Sequence, residues 1–90
     1  MAYRDYQDPL YKKFRKQVLS RDKHQCQWYG CNNKKRLNVH HIKRWADCPG
    51  LRFDINNGIT LCRAHHDMIK GDEQIYESVF FKIVANNAKR

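Results

Sequence analysis

Residues 37–66 read LNVHHIKRWADCPGLRFDINNGITLCRAHH, and this stretch decides the fold. Leu37-Asn38-Val39-His40-His41-Ile42 alternates as a strand of about five residues does. Asn56-Asn57-Gly58 is a turn signal, after which Ile59-Thr60-Leu61 forms a second short strand. From Arg63 to about Ile69 a short helix is expected. Between the strands lies a loop of about fifteen residues, holding Pro49 and Gly50, with no secondary structure of its own in this reading. Loops of that length usually carry function.

Working outward, a helix is expected on each side of this core. The first spans about Pro9 to Leu19. Asp8 suits the N-cap, and Pro9 sits at the first helical position, where its missing N–H is harmless. Leu10, Phe14 and Val18 recur at i, i+4 and i+8, with Tyr11 and Leu19 widening the stripe. Lys12, Lys13, Arg15 and Lys16 occupy the other faces, and both a solvated face and direct DNA contact stay open for them. The last helix spans about Asp72 to Ala85, with Gly71 ending the helix before it and Asp72 as its cap. Ile75, Val79 and Ile83 form one row and Tyr76, Phe80 and Val84 the next; both stripes read as core.

The chain has 90 residues, room for one small domain, and a domain of that size buries only about 60–65% of its unfolded surface. Eighteen Lys and Arg oppose nine Asp and Glu, a net charge of +9 that points to a polyanionic partner, with nucleic acid ahead of an anionic membrane surface. Apolar runs such as Val79-Phe80-Phe81 are too short to span a bilayer. The opening MAYRDYQDPLYKK has no apolar signal-peptide core, so a cytoplasmic address is expected. At 41% apolar and 12% aromatic, the chain has enough for a core, which argues against an intrinsically disordered chain. In a reducing compartment, four cysteines argue for a metal site ahead of disulfides.

Cys26-x4-Cys31 is a knuckle-like pair, and Cys62-x2-His65 offers a second pair at the start of the short helix. Thiolate and imidazole suit zinc, and Cys3His is a closed structural set. Thirty residues separate Cys31 from Cys62, enough for the strand–loop–strand and too many for a C2H2 finger, which needs about twelve. Cys48 fits neither pair and reads as a free thiol, with a role as an alternate ligand left open; His24 reads as a surface residue. A second group consists of His40, His41, Asn57 and His66. Neighbours on a strand point to opposite faces, so His40 and His41 do different work. On a helix, Cys62 and His65 at i and i+3 share a face, which leaves His66 to project into a separate site.

These residues together, Cys26-x4-Cys31, Leu37-x-Val39-His40-His41-Ile42 and Asn57-Gly58-Ile59-Thr60-Leu61-Cys62-x2-His65-His66, resemble the HNH endonuclease family, in particular the small free-standing proteins of bacteria and their phages. The resemblance covers about residues 21–70, half the chain. It implies an α+β fold: a ββα-metal core with a structural zinc knuckle, flanked here by the two amphipathic helices at 9–19 and 72–85, all within a single domain over 1–90. It implies that His40 and His66 hold one catalytic divalent ion, that His41 is the general base, and that Asn57, ahead of Asn56, orients the base and its loop. It also implies DNA hydrolysis to 5′-phosphate and 3′-hydroxyl ends. Imidazole ligands accept Mg²⁺, Mn²⁺, Ni²⁺ or Co²⁺, which leaves the ion open. Two features depart from the commoner pattern: His65 stands where many relatives carry a fourth cysteine, and four residues separate the first pair where two are usual.

Lys34-Lys35-Arg36 and Lys43-Arg44 flank the first strand with no acid between them, and a phosphate-contacting rim is expected there. Trp45 reads as an anchor of the loop and Arg52-Phe53-Asp54 as its brace. The rival class is a zinc-stapled DNA-binding module without activity, which has no need of His40, His41, Asn57 and His66 together. An RNA-directed nuclease would use the same site. The expected cellular setting is the bacterial host cytoplasm, with DNA as partner, no membrane, and phage or host protein partners open.

Overall fold

The computed structural model describes residues 5–89. Helix α1 runs Pro9–Arg21, two residues beyond the expected end, and the Asp8 carboxylate accepts a hydrogen bond from the Leu10 N–H at its start. Its inward stripe is Tyr11, Phe14 and Val18, while Leu10 points to solvent at 58% exposure. The expected i, i+4 series from Leu10 was therefore rotated: the face that meets the sheet follows i, i+3, i+7 from Tyr11 instead.

Strands β1 (Leu37–His41) and β2 (Gly58–Cys62) pair antiparallel, with His41 opposite Gly58, His40 opposite Ile59 and Leu37 opposite Cys62. Every residue of β2 is buried, since α1 packs over it on one side and the C-terminal helix on the other. The loop between the strands contains two 3₁₀ turns, Pro49–Leu51 and Ile55–Asn57, so it is more ordered than its composition suggests. Helix α2 (Arg63–Met68) follows β2 directly. Gly71, at φ +90°, then reverses the chain into a 3₁₀ turn at Glu73–Tyr76 and helix α3 (Glu77–Ala88).

The C-terminal element thus departs from a continuous helix over 72–85. Asp72 makes no side-chain cap; the Glu73 carboxylate instead accepts from the Gly71 N–H. The 3₁₀ turn sets the rotation of α3, so Phe80 and Val84 enter the core with Tyr76 and Ile83 against it, whereas Ile75 and Val79 of the other expected row stay exposed. Ile42, Ile59, Leu61 and Ile69 complete this cluster around the two buried thiols of Cys26 and Cys62.

A buried Arg–Asp pair ties the pieces together. Asp22, just past the end of α1, is almost fully buried. Its carboxylate accepts from both Nε and the terminal nitrogen of Arg21, from the Thr60 N–H of β2, and from the Asn87 amide of α3. Arg21 also donates to the carbonyls of Ile55 and Gly58, both at 2.6 Å. One ion pair thereby locks α1, β2, the second 3₁₀ turn and the C-terminal helix. A buried carboxylate is tolerated at this depth because its oxygens are satisfied on all sides.

Candidate active site and metal centre

Four ligand atoms, from Cys26, Cys31, Cys62 and His65, lie within 4.8 Å of one another. Among the described residues this is the group of metal-ligating type that converges so closely. Residues 26–31 form a tight knuckle: the Cys31 N–H bonds to the Trp28 carbonyl, the Trp28 N–H approaches the Cys26 sulfur at 3.4 Å, and Gly30 adopts φ +80°. Helix α2 begins at the second pair and places His65 over Cys62. His65 Nδ1 is 3.2 Å from the Cys62 sulfur and 3.6 Å from that of Cys26. A tetrahedral ion with bonds of about 2.0–2.3 Å would set its ligands about 3.3–3.8 Å apart, so these separations fit an ion of zinc's size. Trp28 lies flat on the His65 ring, at 4.9 Å and 7°, and fixes its orientation.

The thiols differ in character. Burial pushes Cys26 up to about 11. Burial acts on Cys62 in the same sense, yet hydrogen bonds from the backbone of His65 and Ala64 and from the neighbouring thiols hold it below the usual range. The start of α2 thus favours a thiolate at Cys62. Cys48 stands apart from the cluster, as does the exposed His24.

The paired histidines of β1 diverge as strand geometry requires. His40 turns toward α2 and α3, its ring 5.6 Å from that of His66 and 5.7 Å from that of Phe80. His41 turns toward α1, stacks on Phe14 at 4.8 Å and 21°, and meets the edge of Trp45 at 5.3 Å. His41 Nε2 lies 2.9 Å from the carbonyl oxygen of Arg52. A carbonyl only accepts, so Nε2 carries the proton, and the neutral ring then bears its lone pair on Nδ1.

Asn57 closes the loop that supplies this carbonyl. Its side-chain oxygen accepts from the Lys43 N–H at 2.7 Å, and its amide donates to the carbonyls of Lys43 and Leu51. Its own carbonyl accepts from the Ile42 N–H. Asn57 is buried and Asn56 exposed, which separates the two candidates. Trp45 is a buried anchor, clasped by Arg52, whose guanidinium lies 4.8 Å over the ring and whose Nε donates to the Trp45 carbonyl. Asp54 accepts from the Asn56 N–H and its carbonyl from the Asn57 N–H, completing the brace.

His40, His41 and His66 all open onto one groove of about 460 Å³, whose rim includes Arg44 and Lys70. Lys43 does not join that rim freely. It pairs with Glu77 at 2.8 Å, which raises its pKa, and so ties the end of β1 to α3. Lys34, Lys35 and Arg36 are exposed just ahead of β1 and do not line the groove.

Two contributors escaped sequence reasoning: the Arg21–Asp22 lock, and Gly58, where a Cβ would lie 2.7 Å from both Phe14 Cζ and Val18 Cγ2. A signal existed for Asp22. An acid at a helix C-terminus opposes the macrodipole, so its presence in a chain with few acids suggests a tertiary partner.

A two-stranded antiparallel sheet with helices, three histidines on one groove and a Cys/His cluster together define a small α+β domain of the ββα-metal type. The HNH endonuclease family model matches residues 26–71. The chain belongs to the HNH endonuclease family. Searches of the curated proteins and of the solved structures returned no match. Among the described residues no helix is long and apolar enough to cross a membrane.

Proposed function

We propose that this protein is a divalent-metal-dependent endonuclease that hydrolyses DNA phosphodiester bonds to 5′-phosphate and 3′-hydroxyl ends, with residues 1–90 acting as one nuclease domain. The observation that carries the reading is the division of labour on β1. Two imidazoles, His40 and His66, face each other across one side of the groove, and a third, His41, has its tautomer fixed from the other side. A binding module has no use for such an arrangement.

Phosphodiesters repel nucleophiles and release a poor alkoxide, so cleavage requires an activated water and neutralised charge. His40 and His66 would hold one divalent ion, Mg²⁺, Mn²⁺, Ni²⁺ or Co²⁺, through imidazole nitrogens; their separation leaves room for an ion between the rings. When bound, that ion supplies charge neutralisation at the phosphate and at the departing 3′ oxygen. His41 accepts the proton of the attacking water at Nδ1, while the Arg52 carbonyl holds Nε2–H and stabilises the cation that forms. Phe14 and Trp45 keep the imidazole in place, and Asn57 holds the loop that carries the carbonyl. Arg44 and Lys70 meet neighbouring phosphates on the rim. The Cys26, Cys31, Cys62 and His65 set would hold a structural Zn²⁺, which would clamp the start of α2 and so fix His66.

We place this activity in the cytoplasm of a bacterial host cell, where the thiols stay reduced. A supercoiled plasmid, incubated with each divalent ion and with EDTA, tests the proposal. Nicked or linear product that disappears with chelator is expected. Plasmid that stays supercoiled across all four ions, while still shifted by the protein in a gel, would assign the chain to DNA binding alone.

A further inference from the structure

A second hollow of about 470 Å³ adjoins the histidine groove, and Val39 and His66 line both. Its remaining walls are Asn38 of β1, Tyr11, Lys12 and Arg15 of α1, and Tyr6 just before the helix. Its volume falls within the range of small-molecule binding sites. Two features define its chemistry. Lys12 and Arg15, at i and i+3, present two cations from one helix face. Tyr6 and Tyr11 pack edge to face at 5.1 Å, and Tyr6 is 57% exposed, so a broad aromatic surface stands beside those cations.

We propose that this hollow is a subsite for the nucleotide next to the scissile phosphate, and that it prefers that nucleotide unpaired. The inference rests on the nuclease reading, which puts the scissile phosphate at His66, the wall shared by the two hollows. A DNA strand leaving that point along β1 enters the hollow directly. Lys12 and Arg15 hold its next phosphate, Tyr6 offers a ring on which its base stacks, and Asn38 offers an amide to the sugar or base edge. Bases inside a duplex are stacked on each other and cannot reach Tyr6, so this contact selects forked or single-strand-extended DNA. It also assigns work to two of the four cations Lys12, Lys13, Arg15 and Lys16 of α1, which sequence alone left between solvent and DNA.

Binding is measured on the zinc-loaded protein with no other divalent ion added, so that no cleavage intervenes, with the full-length protein and two labelled probes: a fully paired duplex and the same duplex with an unpaired fork. The wild type is expected to bind the forked probe more tightly. Lys12→Ala/Arg15→Ala should weaken both probes and make the slope of log K against log salt shallower by about one to two, the loss of one or two phosphate contacts. Lys82→Ala/Lys89→Ala removes the same charge from α3 and its C-cap, outside the lining of either hollow, and should leave the slope within error. Tyr6→Ala should erase the preference for the fork, a loss of about fivefold or more, while Tyr6→Phe keeps it. Equal effects from the two double variants, or a fork preference that is absent in the wild type or survives Tyr6→Ala, would overturn the proposal. Thermal unfolding of each variant separates misfolding from lost contact. If the wild type cleaves plasmid yet these variants bind as it does, the subsite alone fails; if it binds as described but never cleaves, the nuclease reading fails.

Discussion

Gly58→Ala gives the sharpest test of how the fold builds the site. An added Cβ would sit 2.7 Å from Phe14 Cζ and Val18 Cγ2 and 3.2 Å from Phe14 Cε1, against normal carbon contacts of about 3.5–4.0 Å. Both neighbours are almost wholly buried, with no open side to turn into, so α1 must retreat from β2 by roughly 1 Å. Overpacking of this kind costs about 1–3 kcal/mol. The backbone at Gly58 is extended, at φ −117° and ψ 143°, so alanine also recovers about 0.4–1 kcal/mol of chain entropy. A net loss of about 1–2 kcal/mol remains, or roughly 5–15 °C in Tm for a domain of this length. Activity should fall further than stability explains. Phe14 is the ring on which His41 stacks, and a displacement of about 1 Å at a catalytic group costs on the order of 10²-fold. Calorimetry and plasmid-cleavage rates, both with zinc present, measure the two effects. Gly50→Ala is the control: an added Cβ there meets nothing within 4 Å, so Tm should hold or rise slightly. A Gly58→Ala protein as stable and as active as the wild type would refute the claim that α1 positions the base through this contact.

Further outcomes test the other parts. His41→Ala should lower cleavage by about 10²–10⁴-fold without rescue by added metal, whereas His40→Ala should be partly rescued by raising the ion concentration; the opposite pattern would exchange the two roles. Asp22→Ala strips the partner from a buried guanidinium and should cost about 3–5 kcal/mol, read as a loss of the cooperative melt at ordinary temperature; a small change in Tm would show that Arg21 finds other partners. Cys62→Ser should release zinc and cooperative folding together, because structural zinc contributes on the order of 10 kcal/mol of apparent folding free energy; well-folded protein with no zinc by elemental analysis would end that assignment. DNA affinity should fall by about 10²–10⁴ between about 50 and 200 mM salt, and a flat profile would leave the +9 charge to solubility.

Local features were legible wherever a short-range rule governs them. The Asp8–Pro9 helix start, the two strands, the turn at Asn56-Asn57-Gly58 and the i, i+3 pairing of Cys62 with His65 all follow from backbone sterics and side-chain periodicity, which act over a few residues. The opposite outlooks of His40 and His41 follow likewise, because alternation is a property of any strand. What long-range packing decides was not legible. Which side of α1 turns inward depends on where β2 lies, so Tyr11 displaced Leu10 from the core. The 3₁₀ turn before α3 rotated that helix, and Ile75 and Val79 were left in solvent with the apolar character of core residues. The tautomer of His41 depends on a carbonyl eleven residues away, and Arg52, read in sequence as a brace of the loop, carries no sign that its carbonyl reaches the imidazole. The Arg21–Asp22 lock joins four elements, and an ion pair is buried only once the surrounding chain has closed over it and satisfied its remaining oxygens and N–H groups. Residue type and spacing thus determined which chemistry this chain could hold; the way α1, the loop and α3 pack on the two strands decided which face of each residue performs it.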